Sequence, residues 1–185
     1  MDRAKTHNAL AGWLSTVDGI VAELAADELA DIIRLTAMIN ALAHRVGVAV
    51  QAVAPTLLAL PGCGELTAAK LVGESAGITR FKSEAAFARH NGAAPIPAWS
   101  GNTAGRMRLN RAGNRQLNAA LHRIAVTQVG MTGSAGQAYY RKRLADGDSS
   151  SEALRCLKRR LSRNVFNRLH ADEKSRRQTH QPAAA

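Results

Sequence analysis

Apolar residues recur at three- and four-residue steps along most of this chain. Between about Arg3 and Ala52, one series runs Leu10, Trp13, Leu14, Val17, Ile20, Val21, Leu24. A second runs Leu29, Ile32, Ile33, Leu35, Met38, Ile39, Leu42, Val46. Both fit a single apolar stripe along a helix. A pattern this long with few breakers predicts a hairpin of long helices or an oligomerising coiled coil. Pro55 interrupts it. A short apolar helix through Leu57 and Leu60 then meets Pro61-Gly62-Cys63-Gly64, and a second helix starts at once and runs through Val72. Ser83 caps a helix that carries Phe87, Ala88 and His90 and stops at Asn91-Gly92. A loop spans Pro95–Asn110. A helix follows from about Asn114 through Leu117, Leu121, Ile124, Val126 and Val129, ended by Gly130-Met131-Thr132-Gly133. The next carries Tyr139, Tyr140 and Leu144. Ser149-x-x-Glu152 is a capping box for the last helix, whose apolar face holds Leu154, Leu157, Leu161, Val165, Phe166 and Leu169. There is no internal repeat and no convincing strand. The prediction is an all-α fold: long N-terminal helices over 1–54, a helical domain over 55–170, and a polar, disordered tail over 171–185.

Charge divides the chain in two. Residues 1–100 hold 8 Lys/Arg against 9 Asp/Glu, a net of −1. Residues 101–185 hold 17 against 5, a net of +12, and the whole carries +11. A neutral first half joined to a strongly basic second half points to a polyanionic partner for the second. A solvated basic surface is the blander alternative. The two cysteines, Cys63 and Cys156, lack any metal-ligand spacing, which argues against structural zinc and fits buried thiols in a reducing cytoplasm. No apolar run reads as a membrane span and no signal-peptide core is present.

The densest chemistry lies in Ala94-Pro95-Ile96-Pro97-Ala98-Trp99-Ser100-Gly101-Asn102 and the arginines that follow, Arg106, Arg108, Arg111 and Arg115. The prolines fix an extended backbone, and Gly101 permits a turn directly after the serine. Guanidinium groups offer planar forks of donors suited to phosphate. A loop hydroxyl beside such a cluster suits phosphodiester chemistry, and equally a plain nucleic-acid-binding loop. Trp99 can stack on a base or anchor the loop.

The Leu60-Pro61-Gly62-Cys63-Gly64 turn resembles a helix-hairpin-helix motif. In that reading Gly62 and Gly64 bring backbone amides close to a phosphate at the N-terminus of the second helix, with Lys70 alongside. An ordinary helix–helix turn has the same residues, and Glu65 would oppose a phosphate there.

Several motifs occur together: Leu60-Pro61-Gly62-x-Gly64-x-x-Thr67-Ala68, Phe81-x-Ser83, Phe87-Ala88-x-His90-x-Gly92-x-Ala94-Pro95, Ser100-Gly101, Arg111-x-Gly113-Asn114-Arg115-x-Leu117, Tyr139-Tyr140 and Lys158-Arg159. Taken together they closely resemble the C-terminal transposase domain of the insertion sequence 110/116/902 family, over about residues 55–168. The preceding helices fit that family's connecting segment. The resemblance implies DNA transposition with Ser100 as the nucleophile that attacks a DNA phosphate. It implies an N-terminal RuvC-like domain that binds Mg2+ through four acidic residues, a structured bridge RNA as guide, and a homo-oligomeric assembly in the cytoplasm, associated with the nucleoid. Asp18, Asp27, Glu28 and Asp31 read as a solvated helix face, so this chain is expected to lack that acidic domain and to hold no metal or other cofactor of its own. The expected DNA contacts are Gly62, Gly64, Lys70, Arg106, Arg108, Arg111, Asn114, Arg115, Lys158 and Arg159. A serine needs a base or metal to become a good nucleophile. His90 is the nearest candidate base in sequence, though a histidine at a helix end more often packs or caps. The alternatives are a non-catalytic DNA-binding module and a helical oligomerisation fragment.

Overall fold

The computed structural model describes residues 3–98, 101 and 105–180. Among these the chain forms eight α-helices, one 3-10 turn and one short hairpin. The all-α expectation holds, with the hairpin as an addition. The helices are α1 (Arg3–Leu14), α2 (Ile20–Val53), α3 (Pro55–Leu58), α4 (Glu65–Ser75), α5 (Glu84–His90), α6 (Arg115–Gly130), α7 (Ala135–Ala145) and α8 (Ser150–His180). Strands β1 (Ile96–Pro97) and β2 (Met107–Arg108) pair antiparallel.

The chain divides into two compact units, Met1–Arg45 and Val46–Ala185, a boundary inside α2. In the first unit the long stripe is broken once. Ser15 Oγ donates back to Gly12 O at 2.8 Å and Thr16 Oγ1 to Trp13 O at 2.7 Å. Gly19 then takes a φ of 112°, so the turn before α2 falls inside the first apolar series. Leu14, Ala22 and Leu29 are buried, while Trp13, Val21, Leu24 and Ile39 are exposed. Helix α2 also contains an 18-residue window of mean hydropathy 1.2, of which only 6% is buried. By length and composition it therefore matches a membrane span, which the sequence reading had excluded. An apolar helix face left uncovered passes the same test.

The second unit has one core. Leu57, Leu71, Phe87, Leu117, Leu121, Ile124, Leu157 and Val165 are its buried apolar centre, joined by Val50 and Ala54 from the end of α2 and the residue after it. Helix α6 packs on α4, α7 and α8, and α8 also packs on α3 and α5. The stripes read from sequence on α6 and α8 supply most of these residues, because each buries one face and leaves its polar face to solvent. Caps form where the residue types called for them. Ser83 Oγ accepts from Ala86 N at 3.2 Å. Ser149 N donates to Glu152 Oε2 at 3.0 Å, and Glu152 N returns a bond to Ser149 Oγ at 3.4 Å. Ser134 caps α7 through Gln137 N at 3.0 Å and donates to Gln128 O at 2.6 Å.

The segment expected to be a disordered tail from residue 171 is instead the last part of α8, helical to His180. Long-range polar contacts hold it. Asp172 is buried and accepts from Thr56 Oγ1 at 2.7 Å, Arg168 donates to Thr56 O, and Arg177 Nη2 donates to Thr79 Oγ1 at 3.2 Å. Residues 181–185 lie outside the described residues.

Candidate nucleic-acid interface

The hairpin that carries the serine loop is short but firmly rooted. Ile96 pairs with Arg108, Pro97 with Met107, and Ala98 N donates to Arg106 O at 2.9 Å. Ser100 and Trp99 fall between the strands in sequence and lie outside the described residues.

A set of asparagines and glycines fixes the root. Asn91 is fully buried. Its Nδ2 donates to Ser162 Oγ on α8 at 2.8 Å, and its Oδ1 accepts from Ala93 N at 3.0 Å. Asn110 Nδ2 donates to Arg89 O at 2.7 Å, while its Oδ1 accepts from Ala112 N at 3.0 Å. Asn114 N donates to His90 O at 2.7 Å. Gly92 takes a φ of 73° and abuts Gly113 so closely that a Cβ on Gly113 would sit 2.5 Å from Gly92 Cα. Glycine is required here because the two chain ends of the loop touch backbone to backbone. The segment before the hairpin and the segment after it are thus locked together and tied to α8.

Beside this root lies a groove of about 490 Å³. Its lining combines the cations Arg111, Arg155, Lys158 and Arg159 with the apolar or aromatic groups Pro95, Leu109 and Tyr139. Arg155, Lys158 and Arg159 stand three and four residues apart on α8, and that spacing puts them on one face. Lys158 Nζ donates to Asn118 Oδ1 at 2.7 Å, and Asn118 Nδ2 donates to Asn91 O at 2.8 Å. Partial burial, and then the charge of Arg155, hold the Lys158 amine below the usual lysine range. Arg111 and Arg159 have no side-chain partner among the described residues, and Arg155 has only Ser151 Oγ at 3.4 Å. The nearby Asp148 carboxylate is occupied by Arg143 at 2.6 Å. The groove therefore concentrates positive charge, offset in part by Glu152 beside Arg155, together with apolar lining.

The predicted contact residues separate into three places. Arg111, Lys158 and Arg159 meet in the groove. Arg106 and Arg108 are exposed at the hairpin, and Arg115 is exposed at the start of α6. Gly62 and Gly64 belong to the α3–α4 connection and Lys70 to α4 itself, and none of the three lines the groove. There α3 is a single turn, and Gly62, at a φ of 79°, packs against α6, where a Cβ would meet Ile124 O at 3.2 Å. Pro61 O accepts from Gln128 Nε2 at 2.7 Å. Gly64 precedes α4 with open space at its Cα, and Lys70 Nζ bonds Gln116 Oε1 at 2.9 Å. Asn114 spends its side chain within the fold: Oδ1 caps α6 through Leu117 N at 2.9 Å, and Nδ2 donates to Glu74 Oε2 at 2.8 Å. Arg155, Asn118 and Tyr139 were missed as site residues. The 155/158/159 spacing could have disclosed the first; the other two depend on tertiary packing.

His90 is half-buried and lines a second cavity with Arg89, Ile96, Asn110 and Asn114. Its ring lies 5.1 Å from the Phe81 ring, and Nε2 is 3.2 Å from Arg80 Nη2. Desolvation, followed by the Arg80 charge, lowers its pKa, with Glu74 opposing. Among the described residues no three His, Cys, Asp or Glu side chains stand together as a metal donor set. The divalent ion that the family resemblance implies finds no such set among the described residues.

Comparison with known proteins agrees with the motifs. Residues 54–141 match the family model described as Transposase IS116/IS110/IS902 family. No curated protein matches the chain. The matched span includes α3 to α6, the hairpin and the first part of α7, and it belongs to that transposase family.

Proposed function

We propose that this transposase-family domain binds DNA through the groove and hairpin arginines and presents Ser100 as the nucleophile for strand cleavage and exchange. The observation that supports this reading best is the groove itself. Unpaired arginines converge at the locked root of the loop whose sequence contains Ser100. In the proposed step Ser100 Oγ loses its proton and bonds to phosphorus, the P–O bond to the displaced strand breaks, and that strand's oxygen takes up a proton and leaves as a hydroxyl. Arginines nearby would stabilise charge on the phosphoryl oxygens. The activating acidic domain and its Mg2+ would come from a separate RuvC-like part, and a structured guide RNA would share the basic surface. The uncovered apolar residues of α2 support homo-oligomerisation, with the assembly acting in the cytoplasm at the nucleoid. The α3–α4 turn would add a backbone contact to DNA.

The test is a cleavage assay with DNA, Mg2+ and the acidic domain supplied separately. Wild-type protein should form a covalent protein–DNA adduct and Ser100→Ala should form none. Equal adduct from both would remove the serine assignment. Binding should weaken steeply with salt, and Arg111→Gln with Arg159→Gln should lower the log–log slope by about 2. A flat salt response would remove the DNA-binding reading.

A further inference from the structure

We infer that the groove between the hairpin root and α8 holds a single unpaired DNA nucleotide, its phosphate on Arg111, Arg155 and Arg159 and its base against Pro95, Leu109 and Tyr139. The inference rests on the DNA-binding reading above and goes further, since a plain phosphate clamp requires neither a cavity nor an apolar wall.

Three features carry it. The first is size. A volume of about 490 Å³ lies within the roughly 300–1,000 Å³ of sites that enclose a small ligand, whereas a duplex backbone tracks an open surface. The second is the mixed character of the lining. Cations and apolar groups both face one cavity, which suits a ligand with an anionic end and a flat apolar end. Leu109 is 55% exposed in the free protein, so a base laid on it would cover apolar surface now left to water. Arg160 lies 4.9 Å over the Tyr139 ring and helps fix it in place. Aromatic and apolar platforms accept bases of any sequence by stacking, once the strand is unpaired. The third is rigidity. Lys158 and Asn118 connect the groove floor to Asn91 O and so to the loop root. A nucleotide seated there would lie against the segment leading into the serine hairpin.

Cys156 supplies a reporter. It lines the groove and is partly exposed, whereas Cys63 is buried with its thiol pushed up to about 11 by desolvation. A maleimide should therefore label Cys156 selectively in the full chain. A single-stranded DNA oligonucleotide should slow that labelling at least about tenfold, while a duplex of equal length and charge, held at the groove mouth by its phosphates, should slow it far less. Equal protection by duplex overturns the nucleotide proposal and leaves DNA binding standing. So does absence of protection when anisotropy still detects DNA binding. Single-stranded RNA protecting more strongly than DNA would overturn the choice of strand. If neither DNA form binds at all, the DNA-binding reading fails with it. Variants give a second measurement. Leu109→Ala should weaken single-strand binding about fivefold and spare duplex binding, because it removes only the apolar wall. Arg155→Gln should weaken both. A Leu109→Ala protein that binds both forms as wild type does would overturn the proposal.

Discussion

The two units use the same alphabet of apolar residues and treat it in opposite ways. In Val46–Ala185, Leu57, Leu71, Leu121 and Ile124 have no exposed surface. In Met1–Arg45, Trp13 is 60% exposed, Val21 78% and Ile39 62%, although all lie on helices of similar periodicity. Periodicity shows that a helix has an apolar stripe; it does not show what covers the stripe. In the second unit the chain covers its own stripes, because α6 and α8 meet several partners each. Most helical stability comes from such packing rather than from propensity. The first unit retains its helices with few buried apolar groups, so its stripe is available for another surface.

The sharpest way to break this contrast is at the loop root, where backbone touches backbone. Gly113→Ala should destabilise the second unit by about 4 kcal/mol, since no flexible side chain can give way to the new Cβ. Gly64→Ala, at a position with open space, should cost under about 1 kcal/mol and serves as the control. Chemical denaturation of both variants checks this. Similar midpoints would mean the Gly92–Gly113 contact is not what locks the loop.

Much of this architecture was legible in sequence, and the parts that were not share a cause. The stripes on α6 and α8 and the caps at Ser83 and Ser149 follow local rules, so they could be read locally. The continuation of α8 past residue 171 could not, because its sequence is polar and its supports, Thr56 and Thr79, lie about a hundred residues away. Strands of two residues leave no alternation to detect, which hid the hairpin. For the site, Arg111, Lys158 and Arg159 were legible as charge, and their convergence was not. Asn91 was legible only as a helix stop and Asn118 gave no signal, because their bonds at the loop root arise only when α5, α6 and α8 pack together. Asn114 was legible in residue type, whereas its cap on α6 and its bond to Glu74 appear only in the fold.

A second pair of substitutions compares the units directly. Leu121→Ala leaves a cavity in the core and should cost about 3 kcal/mol of unfolding free energy. Ile39→Ser, on the exposed stripe, should cost the second unit under about 0.5 kcal/mol. Its effect should show instead in sedimentation, as a weakening of the self-association proposed for the wild type. If Ile39→Ser lowers the unfolding midpoint as far as Leu121→Ala does, the first unit's stripe is covered after all.

The smallest expected effect concerns the end of α8, where an ion-pair set holds a helix that its polar sequence alone would leave marginal. Glu173 accepts from Arg177 Nε at 3.0 Å and also from Arg176. The Arg177 hydrogen bond is the chief cause of its lowered pKa, against a smaller opposing effect of burial, with Arg176 adding to it. A carboxylate whose folded pKa is depressed contributes stability that is present above its unfolded pKa and lost as pH falls through the folded one. Amide hydrogen exchange across 172–180 should therefore quicken as the solution is taken from neutral pH down through the carboxylate range, before the core opens. Glu173→Gln should exchange at the faster rate already at neutral pH and lose the dependence on this group. High salt should shrink the difference, because the arginines are largely exposed. The Asp31–Arg34 pair in the first unit is the comparison. It has similar geometry at 3.1 Å, but both side chains are about 60% exposed, and the further contact of Arg34, to Met38 Sδ at 3.6 Å, adds no second charge. Asp31→Asn should leave exchange in α2 nearly unchanged, and a change as large as that from Glu173→Gln would show that an exposed pair stabilises its helix as much as an anchored set.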